Sequence, residues 1–455
     1  MVIWIERLND QMADNGVIKR AAIHTLGCKV NQYDSDAVGE LFAAAGYRVV
    51  DFHEEADVYI VNTCTVTSLG DKKSRQMVRR ARRRNPNAKV VMMGCFAQAS
   101  PEEAANVEGV NLVLGTDQRQ GVVELVEALA VQETQMLVHP IFDVTTFEEL
   151  SVRKGSGRTR AVLKIQDGCN EFCTYCKIPF ARGRSRSRDP EQVLEQAAVL
   201  GEQGFAEIVL TGIHLGAYGL DLEVETSLAQ VMKRIADETP VKRLRLSSID
   251  PDKITDDLLR IISTTPQICR HLHIPLQSGS ASVLQRMRRN YTASQYDSIL
   301  KRVRQWIPDA AITTDVIVGF PGETDAEFME TVEFVNQADF TRLHVFPFSA
   351  RQGTPAAKMA DQIPKAVRTR RAGELMDLGK RLSQRWHETF IGREVAVLVE
   401  QSSEGCLTGF TDQYVRVLGT PSTQSPAAQT GQIVEVQVIE ADYEGVAGIL
   451  CSSGK

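Results

Sequence analysis

Three cysteines stand within eight residues in DGCNEFCTYC, spaced Cys169-x3-Cys173-x2-Cys176. Thiolates ligate soft and borderline metals. A structural zinc site takes four ligands, usually as paired Cys-x2-Cys, and the nearest downstream histidine, His214, is far off in sequence. A [4Fe–4S] cluster takes one ligand per iron. Three cysteines therefore hold three irons and leave the fourth open to an outside ligand, which is a catalytic feature. A zinc knuckle, or cysteines that are merely small buried hydrophobes, are the plainer alternatives.

A second set is spread along the N-terminal part of the chain: Cys28 in TLGCKVNQYDS, Cys64 in VNTCTVT and Cys95 in MMGCFAQ. Each follows a short apolar run that reads as a strand. On a line their separations mean nothing. On a parallel sheet they reach one edge, beyond the carboxyl ends of the strands, where such folds bind ligands. Shared metal ligation is the expectation; singly, each cysteine reads as a buried hydrophobe. Cys269, Cys406 and Cys451 belong to no motif and are expected not to be ligands. An odd count of nine cysteines in a long chain argues against a secreted disulfide scaffold.

The elements that must position these groups fall into three parts. Over residues 18–140, strands at Ala21–Leu26, Val58–Val61, Lys89–Met93 and Asn111–Leu114 alternate with helices at Tyr33–Ala45, Ser68–Arg84 and Gly121–Ala130. This α/β pattern predicts an open parallel sheet with helices on both faces. Residues 141–160, ending TTFEELSVRKGSGRTR, read as a polar linker. Over 155–386, apolar runs at Val162–Ile165, Glu207–Leu210, Leu244–Leu246, Leu272–Leu276, Ile312–Val318 and Leu343–Phe346 alternate with helical stretches such as Pro190–Leu200 and Ser282–Arg289, and a long helix follows from Lys365. Six strands with right-handed crossovers curl into a partial (β/α)6 barrel whose site lies at the strand carboxyl rim. Over 388–452, runs at Glu394–Glu400, Tyr414–Leu418 and Ile433–Ile439 predict a small antiparallel β-barrel.

Composition narrows the class. The chain has 455 residues, enough for two to four domains, and is 43% hydrophobic and 24% charged, ordinary for a globular protein. Net charge is −6, so bulk charge does not announce a nucleic-acid binder. No apolar run approaches the ~18 residues of a membrane span. The start, MVIWIERLND, lacks the apolar stretch of a signal peptide. The expected location is the cytoplasm.

At this point a resemblance enters. Cys-x3-Cys-x-φ-Cys, with Tyr175 before the last cysteine, is similar to the radical S-adenosylmethionine (SAM) signature. Together with the N-terminal cysteines in GCKVNQYDS, NTCTV and GCFAQ and a small β-barrel tail, the chain resembles the radical SAM methylthiotransferase family over roughly residues 20–450. The tail would be a TRAM-like domain, which the family is taken to use on RNA. The resemblance implies two [4Fe–4S] clusters, one on Cys169, Cys173 and Cys176 that binds SAM, and an auxiliary one on Cys28, Cys64 and Cys95. It implies that one SAM yields a 5′-deoxyadenosyl radical, another donates methyl, and sulfur comes from the auxiliary cluster, so that CH3–S– is added to an unactivated C–H bond. An electron donor such as flavodoxin or ferredoxin is implied as well. Tyr175, before the last cluster cysteine, and Gly212, Ser248, Gln277 and Val318, by their station at strand ends, would line the SAM site; as a bare glycine, Gly212 is more often just a turn.

Three substrate branches are in play: isopentenyladenosine or threonylcarbamoyladenosine beside the anticodon in tRNA, and an aspartate of a ribosomal protein. The wording TLGCKVNQYDS with QDGCNEFCTYCKIPFARGRSRSR looks most like the bacterial threonylcarbamoyladenosine branch. A reading from another class is a metal-dependent RNA-binding protein without catalysis. Charge supports RNA locally. Residues 71–89 carry Lys72, Lys73, Arg75, Arg79, Arg80, Arg82, Arg83, Arg84 and Lys89 against Asp71 alone. Lys177, Arg182, Arg184, Arg186 and Arg188 form a second stripe. Such stripes track a phosphate backbone, or are solvated surface. The tail is acidic, with nine acids against three bases from Glu388 onward, which is awkward for RNA. Lys177 stands where an apolar residue is common in relatives. His273, alternating with Leu272 and Ile274, is expected to be a satisfied histidine inside the barrel.

Overall fold

The computed structural model describes residues 18–130, 133–153, 159–403, 406–421 and 428–451. The glycines of the expected linker, Gly155 and Gly157, lie outside them, as does the start of the chain.

The N-terminal part is a six-stranded sheet in the order β2-β1-β3-β4-β5-β6, all parallel. Its elements are β1 (Arg20–Thr25), α1 (Lys29–Ala44), β2 (Arg48–Val50), β3 (Val58–Thr63), α2 (Ser68–Arg84), β4 (Lys89–Gly94), α3 (Cys95–Ala99), α4 (Pro101–Ala105), β5 (Leu112–Leu114), α5 (Val122–Ala128) and β6 (Gln135–Leu137). Every residue of β3 is buried, as a strand covered on both faces must be. Helix α2 has the predicted bounds. Thr67 caps it by accepting from Gly70 N, Asp71 sits in its first turn and Arg82, Arg83 and Arg84 in its last, both in line with the helix dipole. The edge strands β2 and β6 were not expected; at three residues each they are too short to show a period.

The central part carries β7 (Arg160–Lys164), the two-residue strands β8 (Gln166–Asp167) and β9 (Arg186–Ser187), α6 (Ile178–Arg182), α7 (Pro190–Glu202), β10 (Glu207–Thr211), α8 (Leu228–Glu238), β11 (Arg243–Leu246), α9 (Asp256–Thr264), β12 (His271–His273), α10 (Ala281–Met287), α11 (Ala293–Trp306), β13 (Ala311–Val318), α12 (Asp325–Ala338), β14 (Arg342–Pro347), α13 (Pro355–Lys358) and α14 (Lys365–Glu388). Strands β7, β10 and β11 form one parallel sheet and β12, β13 and β14 another. Parallel bridges Leu244↔Ile268 and Ser248↔His273 join them, giving the six-stranded open barrel in chain order.

The expected linker is not free. Leu150 and Val152 are buried with the barrel core, Tyr33 hydroxyl donates to Leu150 O, and Gln196 Nε2 donates to Val152 O at 2.7 Å. A strap of alternating apolar residues reads as polar because its outward positions are charged.

The C-terminal part is a closed barrel of β15 (Glu394–Ser403), β16 (Cys406–Phe410), β17 (Arg416–Thr420), β18 (Ile433–Ala441) and β19 (Val446–Leu450) in the order β15-β16-β17-β19-β18. Its pairings are antiparallel except β17–β19, which is parallel. Arginines of the central part dock it. Arg243 donates to Ala396 O at 2.8 Å, Arg245 to Thr411 O at 3.0 Å and Asp412 O at 2.8 Å, and Arg160 pairs with Glu400. Part of the tail's acidity thus faces its own chain. No helix among the described residues is long and apolar enough to cross a membrane.

Candidate active site

The N-terminal cysteines arrive from three adjacent strands. Register pairs Thr25 with Asn62 and Thr63 with Gly94, so Cys28, Cys64 and Cys95 leave β1, β3 and β4 at one edge. Gly27, at φ +102, makes the close approach possible: a Cβ there would stand 2.9 Å from Cys64 Cβ and 3.0 Å from its Sγ. Asn31 on α1 pins the loops. Its amide nitrogen donates to Leu26 O at 2.7 Å and Thr63 O at 2.9 Å, while its Oδ1 lies 3.7 Å from Cys95 Sγ. Burial, with Cys95 and Cys28 nearby, pushes the Cys64 thiol up to about 12. Burial also pushes Cys95 up, against the pull of Arg182.

The second triad occupies the loop after β7 and β8. Gly168 stands at φ +74, where a Cβ would fall 1.8 Å from Arg184 O, so only glycine fits. Cys169 N donates to Gly183 O at 3.0 Å, and Cys176 N to Cys173 O at 2.9 Å. Thr174 fastens the loop to α10 through Met287 O at 3.0 Å and Arg286 O at 2.9 Å. Arg289 Nη1 donates to Cys173 Sγ at 3.2 Å. Burial pushes Cys169 and Cys176 up to about 12. Cys169, Cys173 and Cys176 would hold iron as thiolates, and the bound metal would supply the positive charge that offsets burying them.

The two triads lie on neighbouring elements: α6, which follows Cys176, packs on α3, which begins at Cys95, and Arg182 of α6 reaches Cys95 Sγ at 3.3 Å. Three thiols in each set suit a cubane with one open iron. Among the described residues no three His, Cys, Asp or Glu side chains are grouped to hold a single metal ion.

The other expected contacts lie along the same rim. Gly212 follows β10, and a Cβ there would be 2.9 Å from Gln166 Oε1. Ser248, after β11, is exposed and bridges to His273. Gln277, after β12, is at φ 65 and donates from its N to Asp315 O at 2.9 Å. Val318, ending β13, is fully buried, and its carbonyl accepts from Phe348 N at 2.9 Å. Tyr175 packs on a small cluster with Phe320 and Phe348. His273 is polar-satisfied inside the barrel, with Nδ1 2.9 Å from Thr313 Oγ1 and Nε2 3.2 Å from Asp315. Sequence distance misleads for His214: it returns to the cluster loop, with Nε2 3.4 Å from Asp250 and 3.9 Å from Glu171.

The second basic stripe is corrected. Arg182, Arg186 and Arg188 are buried. Arg182 pairs with Asp34 and Asp167, each at 2.9 Å, Arg188 pairs with Glu149 at 2.8 Å, and Arg186 donates to Arg182 O at 3.0 Å. Their partners come from distant segments, so the run looks solvent-facing on a line. The first stripe fares differently. Arg82 is consumed by Gly109 O, Pro86 O and Ala88 O, and Arg75 by Glu103. Lys72, Lys73, Arg79, Arg80, Arg83 and Arg84 remain at least partly exposed, with Arg79, Arg80 and Arg83 along a groove of 1010 Å³.

Lys177 has a structural account. Its Nζ donates to Ser100 Oγ at 3.1 Å, bridging the Cys176 loop to the helix after Cys95. Nearby, Arg351 ties Asp71 at 2.5 Å and Thr65 at 2.9 Å, so the loop after β14 closes on the Cys64 loop. Sequence reading missed the roles of Asn31, Asp34, Asp167, Arg182, Arg289 and Arg351; nothing local marks them.

Comparison with known proteins agrees with this architecture. Residues 163–335 match the model of the radical SAM superfamily, and residues 20–115 match that of the uncharacterized protein family UPF0004. The chain is 44% identical to the threonylcarbamoyladenosine tRNA methylthiotransferase MtaB of Bacillus subtilis (strain 168), over 93% of this chain and 94% of that one. It is 40% identical to the protein of that name from Thermotoga maritima, over 94% and 96%. It is 33% identical to the tRNA-2-methylthio-N(6)-dimethylallyladenosine synthase of Acetivibrio thermocellus, over 93% and 89%. Among solved structures, the radical S-adenosylmethionine methyltransferase TsrM of Kitasatospora setae shares the fold, with a TM-score of 0.57 at 15% identity over 86% of this chain and 81% of that one. The chain belongs to the radical SAM methylthiotransferase family, and within it resembles the threonylcarbamoyladenosine branch most.

Proposed function

We propose that this protein transfers a methylthio group to C2 of N6-threonylcarbamoyladenosine next to the anticodon in tRNA. What supports the substrate is the higher identity to proteins named for threonylcarbamoyladenosine, 37–44%, than to those named for dimethylallyladenosine, 32–35%. What supports the chemistry is the packing of α6 on α3, which brings the element after Cys176 against the element that begins at Cys95.

In this reading Cys169, Cys173 and Cys176 hold the cluster that binds SAM, and Cys28, Cys64 and Cys95 hold the auxiliary cluster. Tyr175, Gly212, Ser248 and Gln277 form the rim against SAM, and Val318, buried in the barrel core, packs beneath it. When bound, the clusters and SAM supply the radical, the sulfur and the methyl group. The chain's own residues hold the two sites in register. Arg289 balances charge at Cys173, and the contacts of Arg351 and Lys177 tie the Cys64 and Cys176 loops to their neighbours. The exposed cations of α2 begin beside Cys64 and run outward, a surface suited to the phosphates of a bound tRNA. Electrons come from a small donor such as flavodoxin or ferredoxin, and the reaction takes place in the cytoplasm.

The test is mass spectrometry of nucleosides after anaerobic reaction of the reconstituted protein with tRNA. Conversion of threonylcarbamoyladenosine and not isopentenyladenosine is the expected result. The reverse preference overturns the substrate, and no conversion of either overturns the activity.

A further inference from the structure

Arg182 ends α6 with its side chain 0% exposed, and one guanidinium touches both the N-terminal sheet domain and the start of the Cys169–Cys176 loop. Its Nε donates toward Cys95 Sγ at 3.3 Å. Its Nη2 donates to Asn31 Oδ1 at 2.5 Å and pairs with Asp34 at 2.9 Å. Its Nη1 donates to Asp167 Oδ2 at 2.9 Å. Asp167 immediately precedes the Gly168–Cys169 turn, and Asn31 is the residue that pins the loops of Cys28 and Cys64. The wider cluster is ionic: Lys164 meets Asp34 at 2.7 Å, and Arg119 meets Asp34 at 2.5 Å.

Burying a guanidinium costs much unless it is paired. Asp34 and Asp167 provide that pairing through the two terminal nitrogens. They leave unexplained why the third, Nε, faces a sulfur. A neutral thiol is a weak acceptor, whereas a thiolate that ligates a cluster is a strong one. The contact makes energetic sense when Cys95 carries charge. Hydrogen bonds to cluster sulfurs are a main lever on reduction potential, and a low-dielectric surrounding enlarges the effect.

We propose that Arg182 is a positioning residue of the auxiliary site: it donates to the cluster-bound sulfur of Cys95, raises the reduction potential of that cluster, and locks it in register with the Cys169–Cys176 loop. This rests on the reading of Cys28, Cys64 and Cys95 as cluster ligands.

The test uses the full-length protein, anaerobically reconstituted, as wild type, Arg182→Lys and Arg182→Gln. Iron is counted, and each cluster is titrated with paramagnetic resonance as readout. The auxiliary signal is isolated by repeating the titrations with Cys169, Cys173 and Cys176 all replaced by Ala. About eight irons in the wild type establishes two clusters, at four irons each; about four would sink that reading before Arg182 is at issue. With two clusters present, Arg182→Gln is expected to shift the auxiliary cluster to lower potential, or to lose its iron selectively, while the other cluster keeps its iron and potential. Arg182→Lys, which keeps the charge but cannot reach all four partners, should fall between. Full iron with an unchanged auxiliary potential in both variants overturns the proposal. Joint loss of both clusters from both variants also overturns it, since Arg182 would then be a strut of the fold alone.

Discussion

Arg289 Nη1 stands 3.2 Å from Cys173 Sγ while its other arm pairs with Asp250. The guanidinium thus reaches from the end of α10 to the cluster loop and is itself steadied by the rim after β11. Partners of this outer-shell kind typically matter by about 10–100-fold in metal affinity or activity. Arg289→Met should reduce SAM cleavage by at least tenfold and lower iron at this triad, with Arg289→Lys partly restoring both. Iron analysis and 5′-deoxyadenosine yield check it.

The triads should fail in different ways. Cys64→Ala should leave about four of about eight irons, spare SAM cleavage and abolish methylthio product. Cys169→Ala should abolish both cleavage and product. A Cys64→Ala protein that still forms methylthio nucleoside, even slowly, would mean that the N-terminal cysteines only relay electrons.

Gly168 and Gly46 separate space from conformation. Both have positive φ, +74 and +86, but a Cβ at Gly168 meets Arg184 O at 1.8 Å and one at Gly46 meets nothing within 4 Å. Gly46→Ala should cost about 1–2 kcal/mol in urea denaturation, the left-handed strain alone. Gly168→Ala should cost more and also displace Cys169, seen as lost iron.

Glu327 links stability to acid. Hydrogen bonds from Arg286 at 2.9 and 3.0 Å, from Ser282 and from Thr324 N hold its carboxylate at about 2, below the ordinary 4.5. A carboxylate lowered in the fold stabilises above its unfolded value and loses that stabilisation as pH falls from 4.5 toward 2. Glu327→Gln should be less stable than wild type at neutral pH, and the gap should narrow across that acid window. Denaturation midpoints at pH 7, 4 and 3 measure it.

The exposed face of α2 predicts salt dependence. Replacing Arg79, Arg80, Arg83 and Arg84 together by Gln should weaken tRNA binding and flatten the slope of log affinity on log salt, by up to ~0.7–0.9 for each phosphate no longer neutralised. The same change should leave iron content untouched. An unchanged slope would remove this face from the RNA surface.

Local pattern alone carried much of this molecule. Alternating apolar runs and 3.6-residue periods placed α2 at its observed bounds and the six barrel strands within a few residues. The six cysteines stood out along the chain, Cys169, Cys173 and Cys176 by their close spacing and Cys28, Cys64 and Cys95 because each follows a strand. Short strands such as β2 and β6 escaped, since three residues show no period, and β16 escaped because one of its two buried positions is Gly409.

What only the tertiary structure decided is where the charges go. Arg182 and Cys95 are 87 residues apart, and Arg351 and Asp71 are 280 apart. A charged side chain looks the same on a line whether it meets water, a phosphate or a buried partner. Burial is settled by the packing of one domain on another, and this turned three of the five cations of an apparent RNA stripe into buried, partnered groups.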